Sequence, residues 1–351
     1  MRSYSKKIFK KILLSLLLTF HIFCQALVEK LLYTTVRITD PCIIALVRSQ
    51  AFQRLGKVAQ YGIDPKVLPN HSHSQNYNRA KHSLGVYYLL QRYKAPFTEQ
   101  VAGLLHDASH TAFSHVGDKV FKHTDGTDSY QDLHHLKFIS RTEIPKILEK
   151  YGLTLEKIDH KNPEFTCLEG PLPDLCADRI EYNLSAGVLE KLITEPEAVE
   201  ILNNLRFEND RWFFTNTFQA KKFAMISLWN TEHVWGSQMS NYVSHELADA
   251  IRMAFELNIL SHDEFIHGTD EVVWQKLCKS NSTEIHTHLK KILDAHKHEA
   301  EINRQSRNNK FRGVNPLVLI GNKFTRLTES DKKFAQEYEK VKKNSAICYL
   351  C

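Results

Sequence analysis

The chain has 351 residues, 42% hydrophobic and 25% charged, with a formal net charge of +6. That composition excludes a largely disordered chain, a collagen-like repeat and a polytopic membrane protein, and the length leaves room for one large domain or two modest ones. Lys and Arg are interspersed with Asp and Glu, a balance that suits a small anionic ligand and gives no strong nucleic-acid signal.

The first eleven residues carry Arg2, Lys6, Lys7, Lys10 and Lys11 and no acid, and residues 12–28 then run without a full charge. A cationic stretch before a short apolar run is the pattern of a secretory signal. A membrane anchor and an amphipathic first helix stay open, because seventeen residues, with His21 and Gln25 among them, is a marginal span. Residues 1–28 are therefore set apart as a signal or anchor segment. The chain is exported or membrane-associated if that segment acts as a signal, and cytoplasmic otherwise.

Gly (13) and Pro (10) are scarce for this length, which favours helices over a turn-rich β fold. Apolar residues recur at helical spacing over 46–55, 101–115, 133–148, 180–192 and 239–260. Ser240 and Ser261 are placed to act as helix N-caps. Strict alternation is almost absent; 210–215 and 317–320 are the strand candidates. Loops are expected at 64–78, 124–129 and 163–173, and 296–312 reads as a solvated helix face or a linker. The expected fold is mainly α, a helical bundle with a helical C-terminal extension and a short β-hairpin. The expected division is 1–28, a core over 29–190, and a C-terminal region over 191–351 that completes a pocket and offers an oligomer interface.

The seven cysteines form no paired CxxC motifs, so a zinc ribbon is excluded and they read as mostly free, buried thiols. Cys348-Tyr349-Leu350-Cys351 is formally a C-a-a-X box, but Tyr is a poor aliphatic and Cys an unusual last residue, so we read it as coincidence.

Chemistry concentrates between His82 and Asp178. His106-Asp107 follows the apolar run 101–105, and near a helix end the backbone can turn both side chains toward one point. An imidazole nitrogen and a carboxylate oxygen there suit a divalent cation such as Mn, Mg, Fe, Co, Ni or Zn. His110 lies four residues on and can face the same cavity. Alone, a His-Asp pair is more often a surface hydrogen bond than a ligand pair. Here, however, several separate segments supply ligand-type residues.

The strings Phe52-Gln53-Arg54-Leu55, Gln60-Tyr61-Gly62, Asn78-Arg79, His82-Ser83-Leu84-Gly85-Val86, Gly103-Leu104-Leu105-His106-Asp107 and Ser109 to His115 resemble the HD-domain phosphohydrolase superfamily. More narrowly they are similar to its deoxynucleoside triphosphate triphosphohydrolase branch, which includes the sterile-alpha-motif/HD enzyme and bacterial dGTPase-like proteins. The resemblance implies an HD helical bundle and a divalent metal held by His82, His106, Asp107 and Asp178, with Asp174 as a fallback. It implies acid/base roles for His110, His115 and His134, with His135 as the alternative to His134. It assigns substrate contacts to Gln60, Arg79, Arg179 and Tyr182. The implied reaction is hydrolysis of a (deoxy)nucleoside triphosphate to nucleoside and tripolyphosphate, or of a related nucleotide phosphoester, and relatives form oligomers. Two departures bear on the substrate: Ala186 stands where the branch places a sugar-reading Asp, and Arg179 stands for Lys. A second reading therefore keeps the fold and the metal but makes the chain a nucleotide-binding regulatory or exported effector protein without triphosphohydrolase activity.

Overall fold

The computed structural model describes residues 26–63, 77–122, 129–303 and 311–346. The N-terminal apolar run up to residue 25, His71, His73, Cys348 and Cys351 lie outside the described residues. Strand β1 (Leu27–Lys30) pairs antiparallel with β2 (Thr35–Ile38), with Leu27 opposite Ile38. Residues 27 and 28, which the uncharged run attached to the leading segment, thus belong to the folded body.

The helices follow their local chemistry more closely than the broad periodicity. Asp40 accepts the amides of Cys42 and Ile43 and starts the Pro41–Val47 helix, which has Pro in its first turn. The Ser49 hydroxyl then donates to Leu46 O and accepts from Phe52 N, so the expected 46–55 helix is two helices, with Gln50–Leu55 the second. In the same way 133–148 divides into Tyr130–Ile139 and Ile144–Lys150. Ser237, rather than Ser240, caps Gln238–Glu256, while Ser261 caps His262–Ile266 as expected.

The Arg79–Arg92 and Phe97–Leu105 helices pack against each other, and both bury long apolar faces. Their approach depends on Gly103, where a Cβ would sit 2.2 Å from Leu90 Cδ1. Val101, Leu104 and Leu105 are fully buried, each contributing about 1.5–3 kcal/mol on removal from water. The helix stops at Leu105 instead of running to 115. Beyond it Phe113 and Ser114 adopt left-handed backbone, φ 60° and 55°. That turn is costly for non-glycine residues. It is held by Asp270, whose carboxylate accepts the Phe113 amide at 2.7 Å, and by Ser114 Oγ donating to Ala59 O at 2.6 Å.

The Ala177–Leu189 helix lies against Arg79–Arg92 on one side and Thr217–His233 on the other. Strands β3 (Leu205–Glu208), β4 (Arg211–Phe214), β5 (Leu317–Ile320) and β6 (Lys323–Arg326) form a sheet in that order, with β4 and β5 parallel. The two strand candidates are β4 and β5, and each opens into an antiparallel hairpin. A second apolar cluster joins Phe113, Val116 and Val120 to the Gln238–Glu256 and Thr283–Asp294 helices. The architecture is mainly α with small sheets, as expected. Cys42, Cys167 and Cys176 are buried free thiols and Cys278 is exposed. Among the described residues no helix is long and apolar enough to cross a membrane.

Candidate metal centre

Four side chains from three segments meet in the interior. His82 comes from the first turn of Arg79–Arg92, His106 and Asp107 from the end of Phe97–Leu105, and Asp178 from the start of Ala177–Leu189. His82 Nε2 lies 2.9 Å from Asp178 Oδ1, 3.2 Å from His106 Nε2 and 3.6 Å from Asp107 Oδ2. His106 Nε2 lies 3.5 Å from Asp107 Oδ1 and 3.6 Å from Asp178 Oδ1. A cation about 2.1 Å from each donor sets neighbouring donors roughly 3.0 Å apart at a right angle and roughly 3.4 Å apart at a tetrahedral angle. The observed spacings, 2.9–3.6 Å, straddle those values, with His82, His106 and Asp107 forming the tight group and Asp178 joining it through both imidazoles.

The tautomers make the same point independently. His82 Nδ1 is 2.5 Å from Glu181 Oε2, and His106 Nδ1 is 2.7 Å from Gly103 O. Carboxylate and carbonyl oxygens only accept, so both Nδ1 atoms carry a proton, and each Nε2 offers a lone pair once a cation displaces its own proton. Two Nε2 atoms facing each other and flanked by two carboxylates make a place for positive charge, held as protons on the imidazoles or as a metal cation. Burial opposes protonation of His82, yet Glu181 and Asp178 outweigh it and push the imidazole up to about 10. His106 is raised in the same way, against burial, by Asp107 and Asp178. Asp107 is held well below the usual carboxylate range, with Arg79 and the two neighbouring histidines overcoming its burial. A divalent cation fits this donor set.

Sequence reasoning gives Glu181 no role. Its carboxylate accepts from His82, from Tyr77 Oη at 2.6 Å and from Ser185 Oγ at 2.6 Å. Gly85 makes room for it, since a Cβ there would lie 2.5 Å from Glu181 Cγ. The available signal was spacing, because Glu181 is three residues after Asp178 and shares its helix face.

The other predicted residues are placed as follows. Arg79 is 3% exposed and its donors are used inside the protein: Nη1 to Asp107 Oδ2 at 2.8 Å, Nε to Ser114 Oγ at 2.9 Å and Nη2 to Gln60 O at 3.2 Å. It holds Asp107 in place instead of facing open solvent. Gln60 is buried beside it, its Oε1 without a hydrogen-bond partner. His110 Nε2 is 3.2 Å from Asp107 Oδ1, and burial together with Arg79 lowers it to about 4. His115 packs edge-on against His110 with ring centroids 5.0 Å apart, and its Nδ1 is 3.3 Å from Asp118 Oδ2, a partner the motif did not reveal. His134 is half-buried against Tyr130. The neighbouring His135 is buried, 2.9 Å from Ser109 Oγ through Nδ1, with its ring 4.6 Å from that of His160. Arg179 donates to Asp174 O and to Gly170 O, and Tyr182 packs edge-on against Trp235. Asp174 is drawn away from the centre by Arg326, so the fallback ligand is not at the cluster.

Against known proteins, the HD domain family model matches residues 79–166, the stretch that supplies His82, His106 and Asp107. That stretch carries an HD domain. The YdhJ protein of Bacillus subtilis is 29% identical over 321 residues, covering 89% of this chain and 95% of its own. The metal-dependent phosphohydrolase cns2 of Cordyceps militaris is 32% identical over 186 residues, about half of each chain. The human deoxynucleoside triphosphate triphosphohydrolase SAMHD1 is 32% identical over 140 residues, 33% of this chain and 21% of its own. The chain thus spans nearly all of YdhJ, but half or less of the two relatives with a named activity. A solved hypothetical protein from Aquifex aeolicus shares the fold of this HD-domain chain at TM-score 0.65 and 18% identity, over 91% of this chain and 100% of its own. A phosphohydrolase structure from Bacteroides thetaiotaomicron does so at TM-score 0.64 and 15% identity, over 88% and 95%. The cofactor of such HD-domain hydrolases is a divalent metal, and its identity here is open.

Proposed function

We propose that this HD-domain protein hydrolyses the phosphoester bond of a nucleotide, as a (deoxy)nucleoside triphosphate triphosphohydrolase or on a closely related nucleotide ester. His82, His106, Asp107 and Asp178 are the metal ligands in this reading. The observation that carries it is the pair of imidazole Nε2 atoms 3.2 Å apart, each turned inward by a hydrogen bond from the Nδ1 behind it and flanked by carboxylates. A divalent ion bound there supplies positive charge to the phosphoryl oxygens and acidifies water.

The chain's own residues then divide the work. Arg79 fixes the Asp107 carboxylate through Oδ2 and leaves Oδ1 toward His106 and His110. His110, kept neutral near pH 7 by its lowered pKa, takes the proton of the attacking water. His115 sits against it, half exposed and paired with Asp118, and passes that proton to solvent. The water oxygen bonds to phosphorus, the phosphorus–oxygen bond to the alcohol breaks, and the alkoxide is protonated from water. Similarity to SAMHD1 supports a deoxynucleotide substrate, while the buried Ala186 leaves no carboxylate at the position where that branch reads the sugar.

The test is a hydrolysis screen of deoxynucleoside triphosphates and monophosphates with Mn, Mg, Co and Ni, resolving tripolyphosphate from phosphate. Asp178→Asn is the informative variant, because removing Asp107 would strand the buried Arg79 charge at a cost of about 3–5 kcal/mol. We expect Asp178→Asn to lose at least about a hundredfold in kcat/KM together with bound metal. Turnover unchanged in this variant, or in metal-stripped protein, overturns the reading.

A further inference from the structure

A cleft of about 880 Å³ lies between the 160–175 loop and the β4–β6 sheet. That volume is in the range of small-molecule sites. Asp132, His160 and Glu169 line the wall contributed by the helical core, and Arg211, Trp212 and Phe324 line the wall contributed by the sheet. Glu169 ties the cleft to the centre: its carboxylate, Cys176 Sγ and the Asp178 carboxylate lie within 4.8 Å of one another. Access points the same way. The Asp178 side chain is 24% exposed, whereas those of His82, His106 and Asp107 are at most 5% exposed. Asp178 is thus the most exposed of the four, and Glu169, which lines the cleft, is its neighbour.

The lining chemistry narrows the occupant. Glu169 stands near the centre, and like charge disfavours a second phosphate there. Carboxylates in that position accept hydrogen bonds from hydroxyl or amino groups. On the sheet, Arg211 lies over the Phe324 ring, 5.0 Å from its centroid, and Phe324 is 38% exposed. An exposed aromatic face beside a guanidinium is a stacking surface for a planar ring. Of the two other cations lining the cleft, Lys161 and Arg326, the second is neutralised by Asp174 and donates to Asn315 O.

We infer that this cleft is the leaving-alcohol pocket. It takes the uncharged, hydroxyl-bearing, ring-bearing part of the ester, of which a nucleoside is the representative, while any polyphosphate lies outside it. This rests on the hydrolase reading above and adds to it that β4 and β6 set specificity for the alcohol.

The experiment uses the full chain with Mn²⁺ and the single variants Arg211→Ala and Phe324→Ala, both at exposed strand positions. One arm compares kcat/KM for methyl phosphate, deoxyadenosine monophosphate and deoxyadenosine triphosphate. The preference for either nucleotide over methyl phosphate should fall about tenfold in each variant, by the same factor for the mono- and triphosphate. An unmoved preference, or a loss confined to the triphosphate, overturns the assignment. The other arm measures deoxyadenosine binding by calorimetry, with no hydrolysis involved. Binding weakened about tenfold by the variants supports the pocket even if no ester is turned over, which would sink only the hydrolase reading. No deoxyadenosine binding by the unaltered protein, or binding indifferent to both variants, overturns the pocket itself.

Discussion

At the scale of single residues, the centre depends on groups behind the ligands as much as on the ligands. Glu181 sets the tautomer and direction of His82, and Gly85 exists in this packing to admit the Glu181 side chain. A carboxylate behind a metal-binding histidine raises its basicity and fixes its ring. Glu181→Gln should therefore weaken Mn²⁺ or Co²⁺ binding about 10–100-fold, read by calorimetric titration, while the fold is kept. Affinity equal to that of the unaltered protein would show that His82 does not depend on this contact. Arg79 belongs with Glu181. Its motif position resembles a phosphate-contacting arginine, but each of its three nitrogens donates inward, to Asp107, Ser114 and Gln60 O.

At the scale of elements, turns and caps decide where the functional side chains emerge. The Phe113–Ser114 turn follows a helix that has already ended at Leu105 and brings His115 against His110, which lies beside Asp107. The Tyr130–Ile139 helix is opened by a capping box in which Ser129 and Asp132 satisfy each other's backbone amides. Asp132 is also 3.5 Å from His160 Nε2, and despite burial its carboxyl is depressed by His160 and Ser129. The folded pKa is below the unfolded value of about 3.9, so this group's stabilisation is complete above that value and is lost as pH falls through it toward the folded pKa. Asp132→Asn should then unfold more readily at pH 7, by about 1 kcal/mol, and lose less stability than the unaltered protein between about pH 5 and pH 3. Chemical unfolding across that range reads both effects. Parallel pH profiles for the two proteins would contradict the assignment.

At the scale of the whole molecule, the centre is a place where the fold gathers buried charge. Against burial, Glu181 and Asp178 push His82 up, Asp107 and Asp178 push His106 up, and Arg79 holds Asp107 down; a divalent cation would replace the imidazole protons there and bind only the folded chain. Mn²⁺ at a hundredfold its dissociation constant should stabilise the chain by about 2.7 kcal/mol. A melting temperature raised by several degrees and returned by chelator would show it, and Asp178→Asn should remove the shift. The C-terminal half takes part in this unit, because the Thr217–His233 helix backs the helix that carries Asp178, and the β5–β6 hairpin completes the sheet begun by β3 and β4.

The sequence by itself determined the helical class, the two strands 211–214 and 317–320, and the residues that converge: His82, His106, Asp107 and Asp178 lie in short local patterns, and local patterns survive translation into three dimensions. It could not show the helix end at Leu105, because apolar spacing continues to 115, nor the later Phe113–Ser114 turn, which is held by Asp270 more than 150 residues away. It could not choose between His134 and His135, since adjacent helical positions differ only by which one packing turns inward, and that is His135. The inward role of Arg79 and the cleft walled by β4 and β6 were likewise decided only by tertiary structure. Each depends on which distant groups share one low-dielectric space, where an unpaired charge or an unsatisfied donor is costly and the chain folds so as to pair it.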